Sequence, residues 1–464
     1  MDIYVGVYED YIMYKDTIVA IATPMGYGGI GVIRISGPQA HTLLLKHTTS
    51  TRYSPWKLKH TSLLDGHGNI LDDILAVYMP MPNTFTGEDV VELHCHGSPI
   101  VLKSALEALL ESGARSAERG EFSKRALLNN RMSLSQAEAV MEVIHAPDTV
   151  ALAFAQKRLQ GALGTYVANI EAHLTRARME LYVALDFPEE DLETIDIGAV
   201  LSELEEAKTH ISYLMNQYQQ NTVWQEGATV VLAGSVNAGK SSLFNAILGM
   251  HRAIVSPIEG TTRDYVTERI SLHGLPITLI DTAGLRMTQD MIEQQGIEMM
   301  KDFASRADCL LFVVDATRDG LTQEEEDFLT QYASRSLLVY NKIDIDSILP
   351  SILQERYDIP TLSCSAHTMQ GIDRLMESIY SLLVGSSSLN PDYNALVPNS
   401  RQYAILATAS KGIEQLRDDL LSGRPLDGVS AMLEYILQEL DEITGYRVPE
   451  DILNSIFESF CIGK

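Results

Sequence analysis

Residues 234–241, Gly-Ser-Val-Asn-Ala-Gly-Lys-Ser, match the G-x-x-x-x-G-K-[ST] pattern of a loop that wraps phosphates. Val230, Val231 and Leu232 form an apolar run before it, and Leu243, Phe244, Ile247 and Leu248 follow at helical spacing. In a strand–loop–helix setting the loop amides and the helix N-terminus face an anion together. Asn237, Ala238, Gly239, Lys240, Ser241 and Ser242 are therefore expected against a nucleotide's phosphates. Lys240 would reach the β- and γ-phosphates, and the Ser241 hydroxyl would ligate Mg2+.

Four downstream segments narrow the ligand. Asp281-Thr282-Ala283-Gly284 closes the apolar run of Ile277, Leu279 and Ile280, where a carboxylate behind the Mg2+ ligands belongs. Thr261 and Thr262 lie between the two, where a switch segment can supply a hydroxyl, expected from Thr262, to the same metal. Asn341-Lys342-Ile343-Asp344 follows a buried-strand pattern of Leu337, Leu338, Val339 and Tyr340. A carboxylate at Asp344 accepts from the N1–H and 2-amino groups of guanine, whereas adenine would leave its oxygens unpaired. Ser365-Ala366 completes the base pocket. Five elements in this order predict a GTP-hydrolysing domain.

The elements that carry these residues occupy only the middle of a 464-residue chain, long enough for two or three domains. Hydrophobic content of 45% and a mean hydropathy of −0.00 predict a soluble globular protein, with no membrane span or signal peptide. Four cysteines without a C-x-x-C pair fit a reducing cytosol and argue against disulfides or a zinc site. The net charge of −27 argues against indiscriminate nucleic-acid binding. Residues 1–130 are nearly neutral, with 11 basic and 14 acidic groups, and end in Arg115, Arg119, Lys124, Arg125 and, just beyond, Arg131. A solvated helix face is the expected reading of that cluster.

Periodicity divides the rest. Residues 1–130 show strand-like runs at 18–22, 31–35, 74–79 and 90–93 with a helical stretch near 100–112, hence an α+β domain. Leu159, Leu163, Val167, Ile170, Leu174, Ala177 and Leu181 alternate spacings of four and three, predicting one long amphipathic helix. Leu204, Ala207, Ile211, Leu214 and Tyr218 repeat the pattern, as do Leu433, Ile436, Leu440 and Ile443 beyond the nucleotide motifs. One apolar stripe needs a partner, so helices at 131–225 and 387–464 are expected to pack together around an inserted domain at 226–386.

Further blocks make the chain resemble one family, the tRNA modification GTPase MnmE (TrmE) family. They are Thr17-Ile18-Val19-Ala20 with residues 28–37, Phe85-Thr86-Gly87-Glu88-Asp89 with Glu92 and His96-Gly97, and the terminal Cys461-Ile462-Gly463-Lys464. Gly120-Glu121-Phe122-Ser123 and Ala137-Glu138-Ala139 fit as well, so the resemblance runs from about Asp16 to the end. It implies an N-terminal α+β folate-binding and dimerisation domain, a discontinuous helical domain and an inserted Ras-like α/β P-loop G domain. It implies a cytoplasmic homodimer that binds a 5-formyl-tetrahydrofolate-type one-carbon carrier. It further implies a heterotetramer or larger complex with the FAD-dependent protein MnmG, acting on carbon 5 of the wobble uridine of certain tRNAs.

By the same resemblance Arg34, Glu92, Arg131 and Lys464 are folate contacts, with Arg131 standing where the family commonly has Lys. Val236 stands where the family often has Pro. Leu285 replaces the water-orienting Gln of many Ras-like proteins, so charge near the β/γ bridge must be neutralised otherwise. The resemblance supplies K+, held by Asn237, Ser256, Ile258 and Thr261, with Glu293 positioning water and G domains pairing across the dimer. It also suggests a functional Cys461 thiol. Two competing readings are a ribosome-assembly GTPase like Era or Der, and a folate-dependent one-carbon enzyme that uses GTP only as a switch.

Overall fold

A computed structural model describes residues 16–186, 196–235, 237–250, 266–282, 302–318, 320–345, 359–385, 392–446 and 448–464. The chain divides into two compact units, one of Met1–Ile144, Lys157–Ser212 and Arg401–Lys464, the other of His145–Gln156 and Tyr213–Ser400.

The first unit opens with strands β1 (Ile18–Ile21), β2 (Gly28–Ser36), β3 (Lys59–Leu64), β4 (Ile70–Met79), β5 (Val90–Gly97) and β6 (Arg115–Ser116). They form one sheet in the order β3-β4-β5-β2-β1-β6, antiparallel except for β1 against β6. Alternation sends Ile33, Ile35, Val91, Leu93 and Cys95 into a core with Leu102, Ala105 and Leu109 of the helix Pro99–Glu111. The same alternation puts Arg34 and Glu92, directly paired in register, on the opposite face.

The predicted long helix is two helices. Thr149–Leu159 ends before Gly161, and Ala162–Asp186 starts after it, so Leu159 does not belong to the stripe that follows. Leu163, Val167, Ile170, Leu174, Ala177 and Leu181 are fully buried. Their helix packs against Leu426–Thr444, which buries Leu433, Ile436, Leu440 and Ile443. Burying each of the leucine, isoleucine and valine side chains stabilises by roughly 1.5–3 kcal/mol.

The basic cluster divides: Arg119 and Arg131 are exposed, as expected of a solvated face, whereas Arg125 is buried. Arg125 is 0% exposed, donating to Asp16 at 2.8 Å, Glu88 at 3.1 Å and Glu121 at 2.9 Å. Arg115 donates to Asp16 and Glu121, and Lys124 to Asn454. Glu121 is a local partner, but Asp16 and Glu88 come from distant sequence, which a local charge count cannot show.

In the second unit β7 (Ala228–Ala233), β8 (Val266–Leu272), β9 (Leu275–Asp281), β10 (Cys309–Asp315), β11 (Ser336–Asn341) and β12 (Thr361–Ser363) make a second sheet. Its order is β12-β11-β10-β7-β9-β8, parallel apart from the β8–β9 pair. Cores cover both faces, which is why these strands read as continuous apolar runs. The strand order reverses about β7, and ligands of such sheets sit beyond the carboxyl ends of strands at that point. Gly234, Asp281, Asp315 and Asn341 all stand there.

Candidate functional site

The phosphate loop runs from the end of β7 to the helix Lys240–Met250. Gly234 and Gly239 have φ of +127° and +90°. A Cβ would strike the Val313 carbonyl oxygen at the first and the Asn341 amide at the second, so neither position admits a side chain. Lys240 lies back along the loop and donates from Nζ to the carbonyl oxygens of Gly234 at 2.9 Å and Ser235 at 2.8 Å. Burial pushes its pKa down, and Asp281 opposes that shift. The Ser241 hydroxyl donates to Oδ2 of Asp281 at 2.7 Å, and Thr282 donates to the Leu232 carbonyl at 2.7 Å. Ser242 is exposed on the first helical turn.

Base-side residues are cross-linked to this loop. Asn341, 1% exposed, donates to the Ala238 carbonyl at 3.1 Å and accepts from the Ala366 amide at 3.0 Å. Lys342, with φ of +69°, donates to the Asn237 carbonyl and to Asp315, each at 2.7 Å. The Ser365 hydroxyl donates to Oδ1 of Asp344 at 2.6 Å and accepts from the Thr368 amide at 3.1 Å. That hydrogen bond is the first cause holding the Asp344 pKa below the usual carboxylate range, so the side chain stays an acceptor.

A Ser hydroxyl beside a buried carboxylate at a helix N-terminus suits Mg2+, a hard cation that takes oxygen ligands. Among the described residues no group of three or more His, Cys, Asp or Glu side chains could hold a metal. Asn237, the described member of the expected K+ ligand set, is exposed with φ of +64°. Ser256, Ile258, Thr261, Thr262, Ala283, Gly284 and Glu293 lie outside the described residues, as do residues 1–15, Val236 and Leu285.

The second cluster lies in the first unit, on the other face of its sheet, where Ile18 and Ala20 pack with Ala117 and Phe122. Arg34 donates to Oε1 of Glu92 from Nε at 3.0 Å and Nη2 at 2.9 Å, and to the carbonyl of Gly463 from Nη1 at 3.1 Å. Its guanidinium sits 5.5 Å from the Phe85 ring centroid and 5.8 Å from that of Phe122. Phe85 is held by its neighbours, since Thr86 and Glu88 hydrogen-bond the buried Ser36, each at 2.7 Å. The chain terminus reaches this face because Phe457 and Phe460 pack with Leu127, Leu134 and Met141, and because Ile462 pairs with Arg119. Burial lowers the Lys464 pKa first, and Arg34 lowers it further. Arg131 donates to the Thr84 carbonyl at 3.1 Å, beside Phe85, whereas Cys461 is a free, exposed thiol.

Sequence reasoning missed Arg318, whose guanidinium reaches Ser235 in the phosphate loop, and Asp315, which anchors Lys342. The position of Asp315 at the end of an apolar run was the available signal.

A parallel sheet of this order, with a phosphate loop at its reversal and an acceptor-only base loop, defines a P-loop GTPase domain of Ras-like topology. The family model "MnmE helical domain" matches residues 134–461 and "GTP-binding protein TrmE N-terminus" matches 17–131. The chain belongs to the tRNA modification GTPase MnmE family. A protein of that description from Nitratidesulfovibrio vulgaris (strain DP4) is 46% identical over 98% of this chain and 100% of its own length. Relatives from Lawsonia intracellularis and Carboxydothermus hydrogenoformans are 44% and 36% identical, each over 97% of this chain and 100% of their own. Among the described residues no helix is long and apolar enough to cross a membrane.

Proposed function

We propose that the protein couples GTP hydrolysis to installation of an aminomethyl-type group on carbon 5 of the wobble uridine of certain tRNAs. It would act in the cytoplasm as a homodimer with the FAD-dependent MnmG. The supporting observation is the seat of the last two residues, where the Gly463 carbonyl accepts from Arg34 opposite Glu92. A cation between two aromatic rings, a carboxylate acceptor and the Lys464 ammonium suit the amide-rich ring and carboxylates of a 5-formyl-tetrahydrofolate-type carrier. Such a carrier supplies the one-carbon unit when bound. Arg34, Glu92, Lys464 and, through the Thr84–Phe85 loop, Arg131 would hold and orient it. Cys461, exposed at the rim, would approach the flipped base.

In the nucleotide site Lys240 and the loop amides would hold the phosphates, Ser241 and Thr262 the Mg2+, and Asp344 the guanine. K+ would supply positive charge at the β/γ bridge, with Asn237, Ser256, Ile258 and Thr261 around it and Glu293 holding the attacking water. Asp281, Thr282, Ala283 and Gly284 would line the γ-phosphate side, with Asn341, Lys342, Ser365 and Ala366 on the base side.

Deleting residues 461–464 separates the two sites. Basal GTP hydrolysis is expected within about threefold of wild type, and wobble-uridine modification in cells is expected to vanish. Cys461→Ser distinguishes thiol chemistry from docking alone, since it keeps nearly the same volume. Normal modification by the truncated protein would sink the active-tail reading.

A further inference from the structure

Arg318 ties the phosphate loop to a helix that no nucleotide motif includes. It follows β10 in Asp315-Ala316-Thr317-Arg318, and its Nη1 donates to the Ser235 hydroxyl at 2.9 Å. The same guanidinium forks onto Glu325, with Nη1 at 2.9 Å from Oε1 and Nη2 at 3.1 Å from Oε2. Glu325 is itself fixed, because it belongs to the capping box of the helix Gln323–Gln331. Its Oε2 accepts from the Thr322 amide at 2.9 Å, and its own amide donates to the Thr322 hydroxyl at 3.3 Å. Glu325 is 13% exposed and Arg318 31%, so the pair is shielded rather than fully solvated.

The geometry points to Arg318 as a positioning residue that holds the Ser235 turn of the phosphate loop for the γ-phosphate step, with Glu325 as its anchor. The Ser235 carbonyl is one of the two acceptors that seat Lys240, so the peptide held through the Ser235 side chain also aims the ammonium. A hydrogen-bonded chain thus runs from Glu325 through Arg318 and Ser235 to Lys240. Lys342 holds the loop at Asn237 from Asp315, so residues on both sides of Val236 are tied to the segment 315–325. These tethers flank the part of a phosphate loop that meets the β/γ phosphates, so loosening one is felt most where charge develops during hydrolysis. Arg318 is suited to this by its planar fork. A lysine ammonium is a point charge and cannot make the two parallel bonds to Glu325 together with the third to Ser235.

The inference rests on residues 234–241 binding nucleotide, and wild-type GTP turnover reports on that separately. The experiment compares wild type, Arg318→Ala, Arg318→Lys, Ser235→Ala and the Ser235→Ala/Arg318→Ala double variant, each full-length. GDP affinity is measured with a fluorescent GDP, and kcat and KM with GTP and Mg2+ in potassium buffer. The expected result is a fall in kcat of at least about tenfold in Arg318→Ala with GDP affinity within about twofold of wild type. Arg318→Lys is expected to recover less than half of the loss. The double variant is expected within about twofold of the worse single one, because both changes break the same link. An unchanged kcat in Arg318→Ala would overturn the proposal. So would GDP affinity falling in step with kcat, or losses that multiply in the double variant. Absence of wild-type turnover would overturn the nucleotide-site reading along with it.

Discussion

Asp344 selects a base by being unable to donate. With Ser365 on one oxygen and its pKa held low, it presents acceptors to whatever lies opposite. Asp344→Asn replaces an acceptor with a donor facing guanine N1–H, so GTP affinity is expected to fall by about 2–4 kcal/mol. Xanthosine triphosphate, which offers a 2-oxo acceptor where guanine has its 2-amino donor, is expected to bind the variant better than wild type. Equal GTP affinity, measured by displacement of a fluorescent nucleotide, would remove Asp344 from the base pocket. Residues of this kind were legible in the sequence because the loop places backbone atoms, and backbone geometry follows from local spacing. Arg318 was not legible, since its partner Ser235 lies 83 positions away and no spacing rule joins them. Arg125 was misread for the same reason, as two of its counter-charges, Asp16 and Glu88, lie far off in sequence beside the local Glu121.

Periodicity located the helices at the level of elements because a stripe that must be buried repeats every turn, and Leu163 through Leu181 are indeed fully buried. It ran Leu159 into the same helix because the stripe stays in phase across the Gly161 break, where backbone dihedrals and not side chains decide. Strand β3 was missed, since Lys-His-Thr-Ser-Leu-Leu is too polar to read as a strand and is held by pairing with β4. One charge inside the helical stripe has a measurable consequence. Glu171 lies on Ala162–Asp186, and among the described residues its buried Oε1 has no hydrogen-bond partner. Burial, with the Asp441 carboxylate adding to it, pushes its pKa up from 4.5 to about 7. The folded acid therefore keeps a proton that the unfolded chain releases near 4.5. Its contribution is complete below that pH and is lost as pH rises through about 7, at up to about 1.4 kcal/mol per pH unit. Glu171→Gln is expected to raise the melting temperature at pH 8 and to match wild type near pH 4.5. A difference independent of pH would contradict this.

At the scale of the whole molecule, the proposed function has two sites in two units serve one reaction, and the proposed potassium site in the nucleotide-binding unit can be tested by itself. Turnover in potassium is expected to exceed that in sodium by at least about tenfold, roughly 1.4 kcal/mol of barrier. Asn237→Ala should abolish that preference while leaving nucleotide affinity largely intact. Steady-state hydrolysis in matched KCl and NaCl checks both, and indifference to potassium would send the search for the neutralising charge to an arginine. The family itself was legible because its blocks span the chain from Thr17 to Lys464. The seating of the terminus was legible only through the resemblance, which groups Lys464 with Arg34 and Glu92. The packing of Phe457 and Phe460 with helices more than 300 residues earlier follows no local spacing. The central claim is that GTP hydrolysis here serves wobble-uridine chemistry. Mass spectrometry of tRNA nucleosides from a strain lacking this protein tests it most directly. Loss of the aminomethyl-type group at carbon 5, restored by the wild-type chain but not by one lacking residues 461–464, is the predicted result. Unchanged wobble uridines in the deletion strain would contradict it.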